Sequence, residues 1–343
     1  MTDFTMLADK ALRDELLTRE ECLTVLQTPD TNLLELLQAA FKVRERYFGK
    51  TVRLQMLLNA KSGACQEDCG YCSQSSVSTA PIERYGLLPQ DQMVTGARRA
   101  AAAKAQRYCI VISGRSPLDR EIADIASAVR SIKQEVPIQI CCSLGLLNER
   151  QAKDLKAAGV DRINHNLNTS EAYHTEICST HTFQDRLATI RHARTAGLEI
   201  CSGGIVGMGE DDEDLIDLAL ALREVKPDSI PLNMLHPASG TPMEHCAPLT
   251  PQRCLKALCL FRFLHPRTEL RIAGGREHNL RSLQPLALYP ADSVFVNGYL
   301  TTPGQPAAEV WRMIEDLGFD IQVDALPTQG ATPTTEPAVG LHS

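Results

Sequence analysis

Residues 1–48 place Leu23, Leu26, Leu33, Leu34, Leu36, Leu37 and Phe41 in an apolar stripe at helical spacing. Thr18 before Arg19-Glu20-Glu21 is a helix-start signal within that stretch. Beyond residue 48 the pattern changes, and short β-branched runs alternate with helical stretches. Eight runs read as strands, at 52–59, 108–113, 138–144, 162–168, 199–206, 229–235, 269–273 and 293–300. Between them, helices are expected over an alanine-rich stretch at 93–106, over 149–158 and 184–196, which end at Gly159 and Gly197, and over 211–225, which opens on acidic residues. Strand–helix alternation repeated eight times predicts an α/β fold, a (β/α)8 TIM-type barrel. A doubly wound open sheet has the same alternation and is the alternative. The expected organisation is an N-terminal helical extension over 1–48 and a barrel with a closing C-terminal helix over 49–325. A disordered Pro- and Thr-rich C-terminal tail is expected over 326–343.

Composition narrows the class. The 343 residues carry 35 Lys and Arg against 42 Asp and Glu, a net charge of -7, which argues against a general nucleic-acid or anionic-membrane binder. Residues 1–21 hold no apolar signal core, and no run approaches the ~20 apolar residues of a membrane span. A soluble, cytoplasmic protein is expected. Twelve cysteines in such a chain read as metal ligands or buried small apolar side chains rather than a disulfide framework.

Three of those cysteines change the picture most. Cys65, Cys69 and Cys72 form C-x3-C-x2-C just after the first expected strand, where barrels of this class carry their chemistry. Three thiolates leave a tetrahedral zinc site one ligand short, and an iron–sulfur cube held by three exposes one iron to a non-protein ligand. A zinc knuckle completed by a distant Cys or His is the alternative. Cys109, Cys141 and Cys201 fall within the second, third and fifth strands and Arg271 within the seventh, so their side chains can converge inside a barrel. Each cysteine taken singly also fits as a core filler. Arg271 needs an anionic partner, either a carboxylate or an anionic cluster. Cys142 must point opposite to Cys141. Strict alternation would put Asn164, Asn166 and Asn168 on one face of the fourth strand and His165 on the other, with Asn233 on the sixth strand a further amide. The glycine-rich run 203–209 permits close backbone approach to a ligand, and a plain strand-to-helix turn explains it as well. Cys22, Cys178, Cys246, Cys254 and Cys259 read as structural.

The C-x3-C-x2-C run with Tyr71 before its third Cys resembles the radical S-adenosylmethionine (SAM) enzymes. Further landmarks look like the biotin synthase family: Ser62-Gly63-Ala64-Cys65 through Gln74-Ser75, Asn164-His165-Asn166-Leu167, Cys201-Ser202-Gly203-Gly204-Ile205-Val206-Gly207, residues 229–233, residues 271–277 and Leu300-Thr301-Thr302-Pro303. They run in family order over about 50–305. The resemblance implies that Cys65, Cys69 and Cys72 hold a 4Fe-4S cube whose open iron binds SAM. It implies that Tyr71, Asn166, Asn168, Gly203, Ile205 and Gly207 lie against SAM, and that Asn166 and Asn233 contact dethiobiotin. Cys109, Cys141, Cys201 and Arg271 would hold an auxiliary cluster, in the familiar branch 2Fe-2S. The implied reaction inserts sulfur from that cluster into dethiobiotin through 5′-deoxyadenosyl radicals. A flavodoxin or ferredoxin electron donor and a homodimer are implied as well. Asn168 stands where many members carry an Asp, and residues 272–276 and His236-Pro237 also differ, which leaves the type of the second cluster open.

Overall fold

The computed structural model describes residues 3–323. The strands are β1 (Thr51–Lys61), β2 (Arg107–Ile112), β3 (Gln139–Ser143), β4 (Arg162–Asn164), β5 (Glu199–Cys201), β6 (Gly204–Val206), β7 (Ser229–Met234), β8 (Glu269–Ile272), β9 (Ser293–Phe295) and β10 (Asp320–Ile321). All pairings between these strands are parallel, in the order β10-β1-β2-β3-β4-β5-β7-β8-β9, and β9 pairs back onto β1. That last pairing closes the barrel and excludes the open sheet.

Each expected strand is present, and the differences have local causes. The fifth is split into β5 and β6. Cys201 pairs with Ser229 and Gly204 with Leu232, so register is kept and Gly203 falls opposite Pro231. Proline has no N–H for the ladder, and a Cβ on Gly203 would run into the Pro231 carbonyl. The fourth strand stops at Asn164 rather than Asn168, and Asn168 takes a left-handed φ of 74°. The eighth stops at Phe295 because Asn297 (φ 65°) and Gly298 (φ 114°) turn the chain. Pattern reading missed β10, too short at two residues to show a period, which pairs with Thr51 and Val52.

Helices Phe4–Leu12, Arg19–Leu26 and Leu33–Phe48 form the N-terminal segment, and Thr18 caps the second in a reciprocal capping box with Glu21. They pack against helices Asp212–Val225 and Pro251–Leu264. Arg44 is fully buried and donates to the carbonyls of Thr51 (2.8 Å) and Ala291 (3.4 Å), which ties this segment to the N-terminal end of β1. The large apolar core fills the layer between strands and outer helices and includes Cys22, Cys142, Cys254 and Cys259. Cys109 and Cys141 belong to a separate small cluster with Val111, Leu57 and Leu300. Cys141 and Cys142 thus point to opposite faces, as strand alternation requires. The tail expected over 326–343 lies outside the described residues.

Candidate active site

The C-terminal ends of the strands open into a cavity of about 410 Å³ lined by Cys65, Cys69, Cys72, Tyr71 and the Asn164–Asn168 stretch. A second cavity of about 260 Å³ lies deeper and is lined by Cys109, Cys141, Arg271 and Gln55. Asn164, Asn166 and Asn233 line both. One asparagine-walled throat therefore joins two thiol-bearing compartments.

The upper loop is bent and pinned before it reaches its first thiol. Gly63 and Ala64 both adopt left-handed backbone, φ 72° and 51°. Ser113 Oγ donates to the Gly63 carbonyl at 2.6 Å, and Gly63 N–H donates to Gln74 Oε1 at 3.0 Å, which closes the loop at both ends of the motif. Gly70 N–H donates to the Ile177 carbonyl and Met243 N–H to the Gly70 carbonyl. Cys65 and Cys72 are half-buried and Cys69 is buried. Around one zinc ion, sulfurs stand about 3.8 Å apart, from Zn–S bonds of about 2.3 Å. The three loop sulfurs do not all lie within 4.8 Å of one another, the spacing at which single-ion groups occur among the described residues.

The lower compartment sits on buried charge. Arg107, Arg162 and Arg271 are each less than 5% exposed and surround Glu269. Glu269 meets Arg271 at 2.7 Å, Arg162 at 3.0 Å and Arg107 at 3.6 Å, and accepts from Gln55 at 2.8 Å. Burial alone would push the Glu269 carboxyl up, yet the three guanidiniums hold it well below the usual range. Glu199, half exposed, is the further carboxylate near Arg107 and Arg162. Among the described residues, three cations thus face two carboxylates. Nε and Nη1 of Arg107 are buried with no hydrogen-bond partner among the described residues. Arg271 has the carboxylate partner among its two readings, Glu269, and also places Nη1 3.5 Å from Cys201 Sγ. Asn164 Nδ2 lies 3.3 Å from the same sulfur. Cys109 and Cys141 stand side by side across the β2–β3 ladder. Hydrogen bonding from Cys109 and then Arg162, Arg107 and Arg271, against burial, lower the Cys141 thiol below its ordinary range. Buried thiols inside an excess of positive charge fit an anionic iron–sulfur cluster.

The throat departs from the expected alternation. Since β4 ends at Asn164, His165 also lines the upper cavity instead of turning away; it is buried, and its Nε2 has no partner among the described residues. Burial, then Arg186 and His181, hold its pKa well below the ordinary value, so the ring is neutral. Asn166 Oδ1 accepts from Asn164 Nδ2 and Gly203 N–H, both at 3.2 Å. Asn168 donates to Tyr71 Oη at 2.6 Å. Asn233 donates to the Gly204 carbonyl (3.1 Å) and accepts from Gly274 N–H (2.9 Å), which fixes its amide with one donor and one lone pair to spare. Ile205 is on the cavity wall, but Gly203 and Gly207 are not. Gly203 is small to admit the Pro231 carbonyl, and Gly207 (φ 98°) packs against Leu249.

Sequence reading missed Arg107, Arg162 and Glu269. The signal was there at i, i+2 spacing: Arg107 with Cys109, Arg162 with Asn164, and Glu269 with Arg271 share inward faces. It also placed Cys178 among structural residues, whereas Cys178 Sγ lies 3.7 Å from Cys69 Sγ. Cys69 donates to Cys178, which itself lies 3.1 Å from Asp68 Oδ1. Hydrogen bonding from Cys69, then from His181 and Thr180, carries Cys178 down to about 4 against burial, while Cys69 moves up.

Among solved structures, methylornithine synthase superposes with a TM-score of 0.82 at 20% identity, covering 92% of this chain and 97% of that one. The FeFe-hydrogenase maturase from Carboxydothermus hydrogenoformans gives 0.79 at 20% identity, covering 94% and 80%. These likenesses establish the fold. A model of the radical SAM superfamily matches residues 60–222, and one of the Biotin and Thiamin Synthesis associated domain matches residues 231–320. Among curated proteins, the biotin synthase of Bacillus cytotoxicus is 50% identical over 324 residues, 94% of this chain and 98% of its own. That of Rhodopirellula baltica is 51% identical over 318 residues, 93% and 89%. That of Geobacillus kaustophilus is 49% identical over 330 residues, 96% and 99%. Identity at this level over nearly the whole of both chains, on a barrel whose thiols sit in two joined compartments, makes this chain a member of the biotin synthase family.

Proposed function

We propose that this chain converts dethiobiotin to biotin by radical-SAM sulfur insertion, with the upper compartment generating the radical and the lower one donating sulfur. Cys65, Cys69 and Cys72 are read as the ligands of a 4Fe-4S cluster, and Tyr71, Asn166, Asn168 and Ile205 as the wall against SAM. Gly203 is assigned an indirect role, orienting Asn166 through its N–H, and Gly207 the turn that shapes the adjoining segment. Cys109, Cys141, Cys201 and Arg271 are read as the auxiliary cluster site. When bound, the groups supply a 5′-deoxyadenosyl radical from SAM and sulfide for the new C–S bonds.

The observation that carries this reading is the shared throat: Asn164, Asn166 and Asn233 line both compartments, so a substrate held by these amides lies between the two sets of thiols. A neutral, donor-rich ureido group matches the spare amide groups. The barrel wall keeps bulk water from a reactive intermediate. No acid–base dyad is required, and His165, buried and neutral, offers none. A one-electron donor of flavodoxin or ferredoxin type, a cytoplasmic setting and a homodimer complete the proposal; no helix among the described residues is long and apolar enough to cross a membrane.

The test is anaerobic iron and sulfide analysis with Mössbauer spectra on the wild type and Cys109→Ala, followed by incubation with SAM, dithionite and dethiobiotin. Two distinct clusters are expected, one lost in the variant. Cys65→Ala should abolish 5′-deoxyadenosine release, whereas Cys201→Ala should retain some release and lose biotin formation. Equal loss of both products in the two variants would refute separate roles for the compartments.

A further inference from the structure

Cys69 has a second set of metal-binding neighbours besides Cys65 and Cys72. Cys178 and His181, on the segment that follows helix His174–Ile177, come up against it so that one ligand atom from each of Cys69, Cys178 and His181 lies within 4.8 Å of the others. All three residues are buried. The spacing is that of a single tetrahedral ion. Zn–S bonds of about 2.3 Å and Zn–N bonds of about 2.0–2.1 Å give tetrahedral edges of about 3.8 Å between sulfurs and about 3.6 Å between sulfur and nitrogen. The Cys69 and Cys178 sulfurs are 3.7 Å apart, and the ring nitrogens of His181 lie 3.3 Å (Nδ1) and 3.8 Å (Nε2) from Cys178 Sγ.

The surroundings also follow the pattern of an ion site. Glu67 Oε2 is 2.6 Å from His181 Nδ1, so Nδ1 keeps the proton and Nε2 presents its lone pair. A carboxylate behind a ligating imidazole is the usual orienting arrangement. Glu67 is itself held by Arg115 at 3.2 Å and by the Thr180 hydroxyl. Two thiols and an imidazole select a soft divalent ion over magnesium or calcium. Three protein ligands leave a fourth position for water or a small thiol.

We propose that Cys69, Cys178 and His181 form a mononuclear site for a divalent ion of the zinc class, whose occupation withholds Cys69 from the iron–sulfur cluster. The site stands on its own geometry; the competition rests on the reading of Cys69 as a cluster ligand. A chain that takes up zinc before iron and sulfide would have two loop thiolates left for the cluster, so this pair of residues selects against cluster assembly whenever zinc is free.

The experiment uses reduced, cluster-free full-length protein under anaerobic conditions, titrated with cobalt(II) and then with zinc(II). Wild type and Cys65→Ala, which keeps all three residues of the new site, should each bind one cobalt per chain with a thiolate-to-cobalt charge-transfer band and tetrahedral d–d absorption, both lost on adding zinc. Cys178→Ala and His181→Gln, each checked for native circular dichroism, should bind at least about tenfold more weakly, since even changes outside the ligand set cost about 10–100-fold. Absence of the thiolate band in Cys65→Ala, or wild-type affinity in both folded variants, would overturn the site. Cluster reconstitution is then run with and without one equivalent of zinc. Zinc should suppress assembly in the wild type and not in Cys178→Ala; equal assembly in the wild type with and without zinc overturns the competition. Failure of zinc-free wild type to assemble any cluster would instead overturn the reading of the loop, and the cobalt titration would still decide the site.

Discussion

Glu269→Gln removes one buried charge while keeping the side chain's shape, and the structure allows its cost to be worked out. The carboxylate lies within 3.0 Å of Arg271 and Arg162 and 3.6 Å of Arg107, and none of the four side chains is more than 7% exposed. Removing one partner of a buried ion pair costs about 3–5 kcal/mol, because the other charge is left uncompensated. Here three guanidiniums are left with the half-exposed Glu199, so the upper part of that range applies. With an unfolding entropy of about 2.1 cal/mol/K per residue, 343 residues give about 0.7 kcal/mol/K, and a loss of about 4–5 kcal/mol becomes a fall in Tm of about 6–7 °C. Scanning calorimetry of cluster-free protein at neutral pH is the assay. The folded-state pKa of Glu269 is depressed, so its contribution is complete above the unfolded value of about 4.3 and is lost as pH falls toward the folded value. The gap between wild type and variant should therefore narrow on the acid side. It should also narrow in cluster-loaded protein, where a bound anion would share the same guanidiniums. A variant melting within about 1 °C of wild type at neutral pH would refute the view that Glu269 neutralises this network.

Gly203→Ala should destabilise the protein by about 1–3 kcal/mol, because its methyl group meets the Pro231 carbonyl rather than a side chain that can swing away. Guanidinium titration checks this, and an unchanged midpoint would show that β5 to β6 can relax around the methyl. Tyr71→Phe leaves the buried Asn168 amide without its 2.6 Å partner, at a cost of about 1–3 kcal/mol. Equilibrium dialysis on cluster-loaded protein should show SAM binding weakened about tenfold, the equivalent of about 1.4 kcal/mol; unchanged affinity would remove the Tyr71–Asn168 pair from the SAM wall.

The barrel was legible because its strands are buried on both faces and the helices between them end on strong local signals. Gly159 (φ 102°) and Gly197 (φ 78°) do terminate helices Glu149–Ala158 and Phe183–Thr195 as expected. Pattern reading failed where one residue on a neighbouring strand decides the geometry. Nothing in the local pattern of residues 199–206 reveals the break at Gly203, because its cause, Pro231, is 28 positions away and becomes relevant only once the register of β5 and β7 is known. The same holds for His165. Alternation sends it away from the site only if β4 continues through Asn168, and the left-handed turn at Asn168 ends that premise.

The cysteines divide along the same physical line. Inward or outward direction follows from strand period, and it separates Cys141, in the small cluster inside the barrel, from Cys142, in the main core. Cys254 and Cys259 sit on helix Pro251–Leu264 and are wholly buried in that core, which justifies reading them as small apolar fillers. Cys178 has no such period to read. It follows a four-residue helix, and only the fold brings it over Asp68 and Cys69, more than a hundred positions earlier in the chain. Residues whose direction is set by a repeating element could be assigned from sequence, whereas those set by loop-to-loop contact could not. That is why the spacing of Cys65, Cys69 and Cys72 is legible in the sequence and the approach of Cys178 and His181 to Cys69 is not.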